Sequence, residues 1–441
     1  MDAKQLESII KLKEARVGVF GLGYVGLPLA VEIAKVGFKT TGADVDTNKI
    51  EMLAVGKNPL PDMKLDSAFE QLVITRRLDF SSPEAAAAKS DIKIICVPTP
   101  SLDKYPDLTF IRSVAKYIGK HVKRGDLIIN ESTVGPKMTR KILCSVIEAE
   151  SGLEAGKDFF VVASPERIDP GNPISLTDIP KVVGGINKES TKLAVLFYSS
   201  FMKKVVPVSS LEAAEMVKMI ENSFRALNIG FVNEVAKFCD VSKIDMHEII
   251  TTAATKPYGF MPHYPSIGVG GHCIPEDPYY LISSGEDVSV KFPILSLALN
   301  TNESMPYYVL YNLLNKCTEF DLKPEKTKVV IFGLAYKKNI RDTRLSPALI
   351  FHNLVQNEGF DVKVYDELFS KEELRGKSFS VFSPETDECH IAVIGCDHTH
   401  IVNLDFTKLK NLKFIMDGKN SLDKKHVPVF GIGGRILLPE T

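Results

Sequence analysis

Apolar and polar positions along the chain fall into two stretches of alternating strand and helix signals with a helical stretch between them. Residues 16–44, RVGVFGLGYVGLPLAVEIAKVGFKTTGAD, read as an apolar strand to Phe20, a glycine turn, a helix through about Lys35 and a second strand ending at Asp44. Strand-like runs recur in DIKIICVPTP, GDLIINESTV and DFFVVASPER, with helix-compatible stretches between them, the rhythm of a parallel sheet wrapped by helices. From 211 to 239, LEAAEMVKMIENSFRALNIGFVNEVAKFC keeps helical spacing without an internal proline, and helical patterns resume over 293–318. Alternation returns at Thr327 with TKVVIFGLAY, then FDVKVYD, CHIAVIGCD and LKFIMDGKN, after the charged boundary FDLKPEKTK. The pattern predicts an α/β domain over 10–208, a helical segment over 209–318 and a second α/β domain over 327–441. The outer domains look like distant relatives of each other.

Composition narrows the function. With 441 residues, 44% of them hydrophobic, the chain has apolar material for two or three domains. Lysine plus arginine number 54 against 55 acids, without a basic block, so nucleic acid and membrane surfaces find no electrostatic support and a small polar ligand is expected. The first residues hold no apolar core of a signal peptide, and no run reaches the ~18 apolar residues of a spanning helix, so a cytoplasmic protein is expected. Seven cysteines without paired spacing predict reduced thiols, no disulfide framework and no metal site.

The glycine turn points to a dinucleotide. In GLGYVG, Gly21 permits a tight turn, Gly23 lets backbone approach a pyrophosphate, and Gly26 lets helix and strand pack closely. The helix N-terminus after it favours an anion. Asp44, at the end of the second strand, is placed to bond both ribose hydroxyls and would repel a 2'-phosphate, which favours NAD over NADP. Lys49 lies near the adenosine or in solvent.

Two further constellations carry chemistry. Lys218, Asn222 and Arg225, spaced i, i+4, i+7, share one helix face, which either binds a polar ligand or faces water. In GVGGHCIPEDP, Cys273 follows two glycines and precedes two prolines. A helix opening directly after it, with Pro275 in the first turn, would set the sulfur at the positive end of a dipole and lower its pKa. Asp277 then steers a proton or water, or simply caps the helix. A dinucleotide with a nucleophilic thiol suggests aldehyde chemistry: addition to a carbonyl, loss of hydride, hydrolysis of a thioester.

GLGYVGLP, VPTP, ESTVGP, SPERIDPGN, ENSFRALNIGFVNE, GVGGHCIPEDPYYL and FGLAYKKNIRDTRLSPA, in this order, resemble the UDP-glucose/GDP-mannose dehydrogenase family over nearly the whole chain. The resemblance implies two Rossmann-like doubly wound domains joined by a long central helix, a helical dimerisation region and a homodimer or higher assembly. It implies a metal-free, four-electron oxidation of a nucleotide sugar's C6 alcohol to a carboxylate, with two NAD and one water. Carried over, it makes Cys273 the nucleophile. Lys218 and Asn222 bind the alkoxide and tetrahedral intermediates, Asp277 and Thr133 orient water, and Glu166 serves thioester hydrolysis. The cofactor set becomes Gly21, Gly23, Tyr24, Val25, Gly26, Asp44, Lys49, Thr99 and Thr133. The substrate set adds Arg167, Gly270, Lys337 and Arg344, the last two beside UDP in the second α/β domain.

FRAL and GGHCIPED depart from the UDP-glucose pattern and resemble the branch that oxidises UDP-N-acetylglucosamine or UDP-N-acetylmannosamine, the gluco epimer being the first expectation. Arg225 and Tyr264 are then candidates for the sugar. UDP-glucose and GDP-mannose remain alternatives, as do a two-electron dehydrogenase with an inert Cys273 and a non-catalytic NAD-sensing protein.

Overall fold

The structure, a computed structural model, describes residues 1–441 apart from 61–67, 170, 173, 424–426 and 440–441, so Pro170 of SPERIDPGN and the chain end lie outside the described residues. It divides into one unit of Met1–Glu221 with Tyr279–Val290, and another of Asn222–Pro278 with Lys291–Thr441.

The first unit is built on β1 (Arg16–Phe20), β2 (Lys39–Ala43), β3 (Leu78–Ser81), β4 (Ile92–Ile95), a short hairpin of β5 (Ser101–Leu102) and β6 (Tyr105–Pro106), β7 (Leu127–Asn130), β8 (Phe160–Ala163), β9 (Lys181–Gly185) and β10 (Val205–Val208). All but the hairpin form one sheet in the order β10-β9-β8-β7-β4-β1-β2-β3. From β3 to β8 every pairing is parallel, the doubly wound order. β4, β7 and β8 are buried along their whole length, which is why they read as unbroken apolar runs. Alternate residues feed opposite layers: Ile94 and Ile129 pack with Leu27 and Ile33, while Ile95 and Ile128 pack with Ile118 and Ile147. The expectation of a parallel sheet fails at β9, which runs antiparallel to β8. Among the described residues between them the one helical element is a short 3₁₀ turn, Leu176–Asp178, and with no crossover helix there the chain returns along its neighbour in the opposite direction.

The second unit carries β11 (Lys328–Phe332), β12 (Asp361–Tyr365), β13 (Ile391–Ile394), β14 (Phe414–Asp417), β15 (Val429–Gly431) and β16 (Ile436–Leu437), ordered β12-β11-β13-β14-β15-β16. All pairings are parallel except β15 with β16. The two sheets repeat one local design. Gly21 N donates to Ala43 O at 2.8 Å and Gly333 N to Tyr365 O at 2.9 Å, both glycines having positive φ. Leu22 N donates to Asp44 Oδ2 at 2.9 Å and Leu334 N to Asp366 Oδ2 at 2.7 Å. The acids then diverge: Lys49 Nζ meets Asp44 at 2.8 Å, whereas the buried His398 lies 3.4 Å from Asp366.

The central helix, Leu211–Ser242, starts in the first unit and ends in the second. Within the second it approaches the helix Pro293–Glu319 so closely that a side chain on Gly230 would come within 2.8 Å of Ala298. Asn233 and Asn302 lock this approach with a buried amide–amide bond of 2.9 Å. No helix among the described residues is long and apolar enough to cross a membrane.

Candidate active site

In the first unit, the expected residues gather at the carboxyl ends of adjacent parallel strands. Asp44 follows β2, Gly21 β1, Thr99 β4, Thr133 β7 and Glu166 β8, a row in sheet order along the edge where open α/β sheets bind ligands. The glycine turn fits a dinucleotide. Gly21 has φ +95°, a side chain on Gly26 would lie 1.9 Å from Gly21 O, and the equivalent position on Gly23 meets nothing within 4 Å, the open space a pyrophosphate needs. Val25 caps the helix Gly26–Lys35 without a side-chain acceptor, and Tyr24 beside it is exposed. Burial raises the Asp44 carboxyl, but the Lys49 ammonium and the N–H groups of Leu22 and Asp46 outweigh that and hold it below its usual value. Lys49 therefore serves Asp44 directly.

The loops after β4 and β7 are tied together: Thr99 Oγ1 donates to Thr133 O at 2.7 Å, Ser132 Oγ to Val97 O at 2.8 Å, and the buried Tyr280 hydroxyl to Thr99 O. Glu215 of the central helix accepts from Lys137 N at 2.7 Å and Thr139 N at 2.8 Å, pinning the start of the π-helical segment Thr139–Cys144. Arg167, expected at the substrate, has its guanidinium on Glu221 and Pro180 O, which anchors the segment after β8 to the central helix. Sequence reasoning missed Glu215, Glu131 and Lys181. The last two form a buried ion pair of 2.7 Å, and a lysine opening the apolar strand KVVGG was the signal available.

In the second unit, the cysteine loop lies against the loop after β11. Gly271 N donates to Arg344 O at 3.1 Å, and a side chain on Gly270 would strike Leu345 O and Tyr336 Cβ at 2.7 Å. Gly270 is thus required by close backbone approach. The expectation of a helix directly after Cys273 is corrected. Residues 273–276 form a turn in which Cys273 O accepts from Glu276 N at 3.2 Å and Asp277 N at 2.8 Å, and the helix runs Asp277–Glu286. The acid Asp277 and Pro278 occupy the first helical turn, and Pro275 belongs to the turn before it. Asn222 Nδ2 donates to Asp277 Oδ2 at 2.5 Å, both groups being buried.

The expected polar stripe on the central helix divides: Lys218 and Asn222 are buried and Arg225 is exposed. Lys337 is half-buried in the loop after β11, while Arg344 pairs with Asp342 at 2.6 Å. Tyr264 is exposed beside the ring of His247, 5.3 Å between centroids.

Comparison with known proteins accounts for this arrangement. Three family profiles match in succession: the NAD binding domain of the UDP-glucose/GDP-mannose dehydrogenase family over residues 15–202, its central domain over 212–304 and its UDP binding domain over 330–424. The UDP-N-acetyl-D-mannosamine dehydrogenase of Pyrococcus horikoshii is 32% identical over 418 residues, 94% of this chain and 97% of the relative. The UDP-N-acetyl-D-glucosamine 6-dehydrogenase of Pseudomonas aeruginosa is 34% identical over 365 residues, 82% of this chain and 85% of the relative. The solved UDP-D-ManNAc dehydrogenase structure from Pyrococcus horikoshii superposes with a TM-score of 0.86 at 31% identity, covering 95% of this chain and 99% of that one. With a glycine turn and ribose acid suited to NAD in one unit and these matches along its length, the chain belongs to the UDP-glucose/GDP-mannose dehydrogenase family and is an NAD-dependent nucleotide-sugar dehydrogenase.

Proposed function

We propose that the chain oxidises the C6 alcohol of a UDP-N-acetylhexosamine to the uronate in two two-electron stages. The observation that carries this reading is the Asn222–Asp277 hydrogen bond, which joins an amide to a buried carboxylate, with Asp277 N bonded to the backbone oxygen of Cys273 one turn before it. NAD, when bound, supplies the hydride acceptor for each stage. Lys218 and Asn222 hold the substrate oxygen as alkoxide and then as the oxyanion of the tetrahedral intermediates. Cys273 Sγ adds to the C6 aldehyde to give a thiohemiacetal, whose oxidation leaves a thioester. Water oriented by Asp277 and Thr133, and deprotonated by Glu166, cleaves it. Arg167 fixes the Glu166 segment, and Lys337 with Arg344 holds the UDP, a role the UDP binding domain match supports. Arg225 and Tyr264 contact the sugar.

The relatives bear on the epimer. Identity does not choose, at 32% and 34%, but the mannosamine relative aligns with 94% of the chain against 82%, so UDP-N-acetylmannosamine becomes the first substrate to test. The domains follow the proposed limits 10–208, 209–318 and 327–441, and the reaction takes place in the cytoplasm, which suits seven free cysteines.

The chain works as a homodimer. Phe224, Phe231 and Phe238, seven residues apart, stand exposed along the central helix, and Leu297, Tyr307 and Tyr311 stand exposed on the helix Pro293–Glu319. A second copy covers these faces.

Absorbance at 340 nm with NAD and, separately, UDP-N-acetylmannosamine, UDP-N-acetylglucosamine, UDP-glucose and GDP-mannose tests the substrate. Turnover with an N-acetylhexosamine at least about tenfold above the other two supports the reading, a ratio of about 1.4 kcal/mol in transition-state binding. Preference for UDP-glucose or GDP-mannose overturns it, and NAD binding without reduction in any cuvette points to a sensor.

A further inference from the structure

Beside Glu166 lies a buried charge cluster for which the chemistry above has no use. Lys181 Nζ sits 2.7 Å from Glu131 Oε2 and 3.8 Å from Glu166 Oε2, and the Tyr198 hydroxyl donates to the other oxygen of Glu131. The side chains of Glu131, Lys181 and Glu166 are 0%, 7% and 13% exposed, so the cluster runs from the interior to the rim of the sheet edge. Glu131 Oε2 accepts no hydrogen bond of good geometry, and the Lys181 charge is what compensates it. Burial disfavours the ammonium, yet the flanking carboxylates outweigh this and hold Lys181 above its ordinary range. Glu166 is also tethered by its backbone, Glu166 N donating to Glu131 O at 3.2 Å. A buried ion pair adds little net stability over an apolar replacement, so stability alone is a weak reason for this cluster.

We infer that Lys181 is a positioning residue for thioester hydrolysis: locked by Glu131 and Tyr198, its ammonium holds the Glu166 carboxylate in the orientation that takes a proton from the attacking water. The inference rests on the role proposed for Glu166. In that step the water oxygen bonds to the acyl carbon, the C–S bond breaks with its electron pair leaving on Cys273 Sγ, and one water proton passes to Glu166. The products are the carboxylate, the thiol and one proton, with no change of oxidation state.

The test compares wild type, Glu166→Gln, Lys181→Arg, Lys181→Met and the double variant Lys181→Met/Glu131→Gln. The double variant removes the carboxylate that Lys181→Met alone would strand. With NAD and the sugar that wild type oxidises, rapid-quench NADH release and intact protein mass are followed together. Expected are a fast first NADH phase, kcat lowered about 30-fold or more with kcat/KM within about threefold of wild type, and a covalent acyl adduct on Cys273 in Lys181→Met and the double variant, as in Glu166→Gln, with Lys181→Arg recovering to within about fivefold. A folded double variant that builds up no adduct, or that slows both NADH phases equally, overturns the inference while leaving the Glu166 role standing. Absence of adduct in Glu166→Gln removes that role and the inference with it.

Discussion

Asn222 Nδ2 donates to Asp277 Oδ2 at 2.5 Å, joining two helices across 55 residues of sequence. The bond uses one of the two Nδ2 hydrogens and gives the buried carboxylate a donor. Asn222→Ala takes this donor from the buried carboxylate, at a cost of about 1–3 kcal/mol, and removes an Nδ2 donor proposed for the oxyanion, which lowers kcat about 10²-fold or more. Thermal unfolding and steady-state rates check both effects. A variant that keeps wild-type turnover contradicts the assignment.

The glycines of the first turn separate folding from binding. Gly26→Ala forces a methyl to within 1.9 Å of Gly21 O and is expected to destabilise the protein by more than about 2 kcal/mol. Gly23→Ala meets open space, so stability stays within about 0.5 kcal/mol while the Kd for NAD rises about tenfold or more. Denaturant titration and fluorescence titration with NAD distinguish the two.

Glu215 links stability to pH. Burial pushes its carboxyl up to about 7 despite the bonds from Lys137 N and Thr139 N. Its folded value lies above the unfolded one, so between about 4.5 and 7 the folded protein keeps a proton that the unfolded chain has lost, and stability falls as pH rises. The shift corresponds to about 3 kcal/mol at most. Glu215→Gln removes this part of the decline, read as a smaller drop in urea midpoint between pH 5 and pH 8 than in wild type.

The exposed faces of the long helices predict the assembly. Sedimentation equilibrium is expected to give about twice the 48.7 kDa chain mass for wild type and the single-chain mass for Phe231→Glu, whose exposed position leaves the fold intact. A monomeric wild type contradicts the dimer.

What the sequence made legible was local. Gly21, Gly26 and Asp44 announce themselves because a tight turn, a helix–strand contact and a strand end each demand a particular residue type within thirty positions or so of chain. The strand from Lys328 and the helix from Pro293 were legible for the same reason: period and breakers are nearest-neighbour signals. Pairings across long separations were not. Nothing near Asn222 marks Asp277 as its partner, and Lys181 reads only as an oddity at the head of a strand until Glu131 and Glu166 are seen around it. The reversal at β9 escaped because strand direction depends on whether the connection contains a crossover, which the pattern over 164–180 left open. The helix start after Cys273 was misplaced because Pro275 and Pro278 both suit a first turn, and the approach of Gly270 and Gly271 to Tyr336 lies outside any local signal.

The central claim is that Cys273 carries the substrate between two oxidations, and the yield of NADH from limiting UDP-N-acetylhexosamine with excess enzyme and NAD tests it most directly. The account predicts two NADH per sugar for wild type, and for Cys273→Ser a collapse of turnover by about 10³-fold or more. One NADH per sugar in wild type, or unchanged turnover in Cys273→Ser, would contradict it.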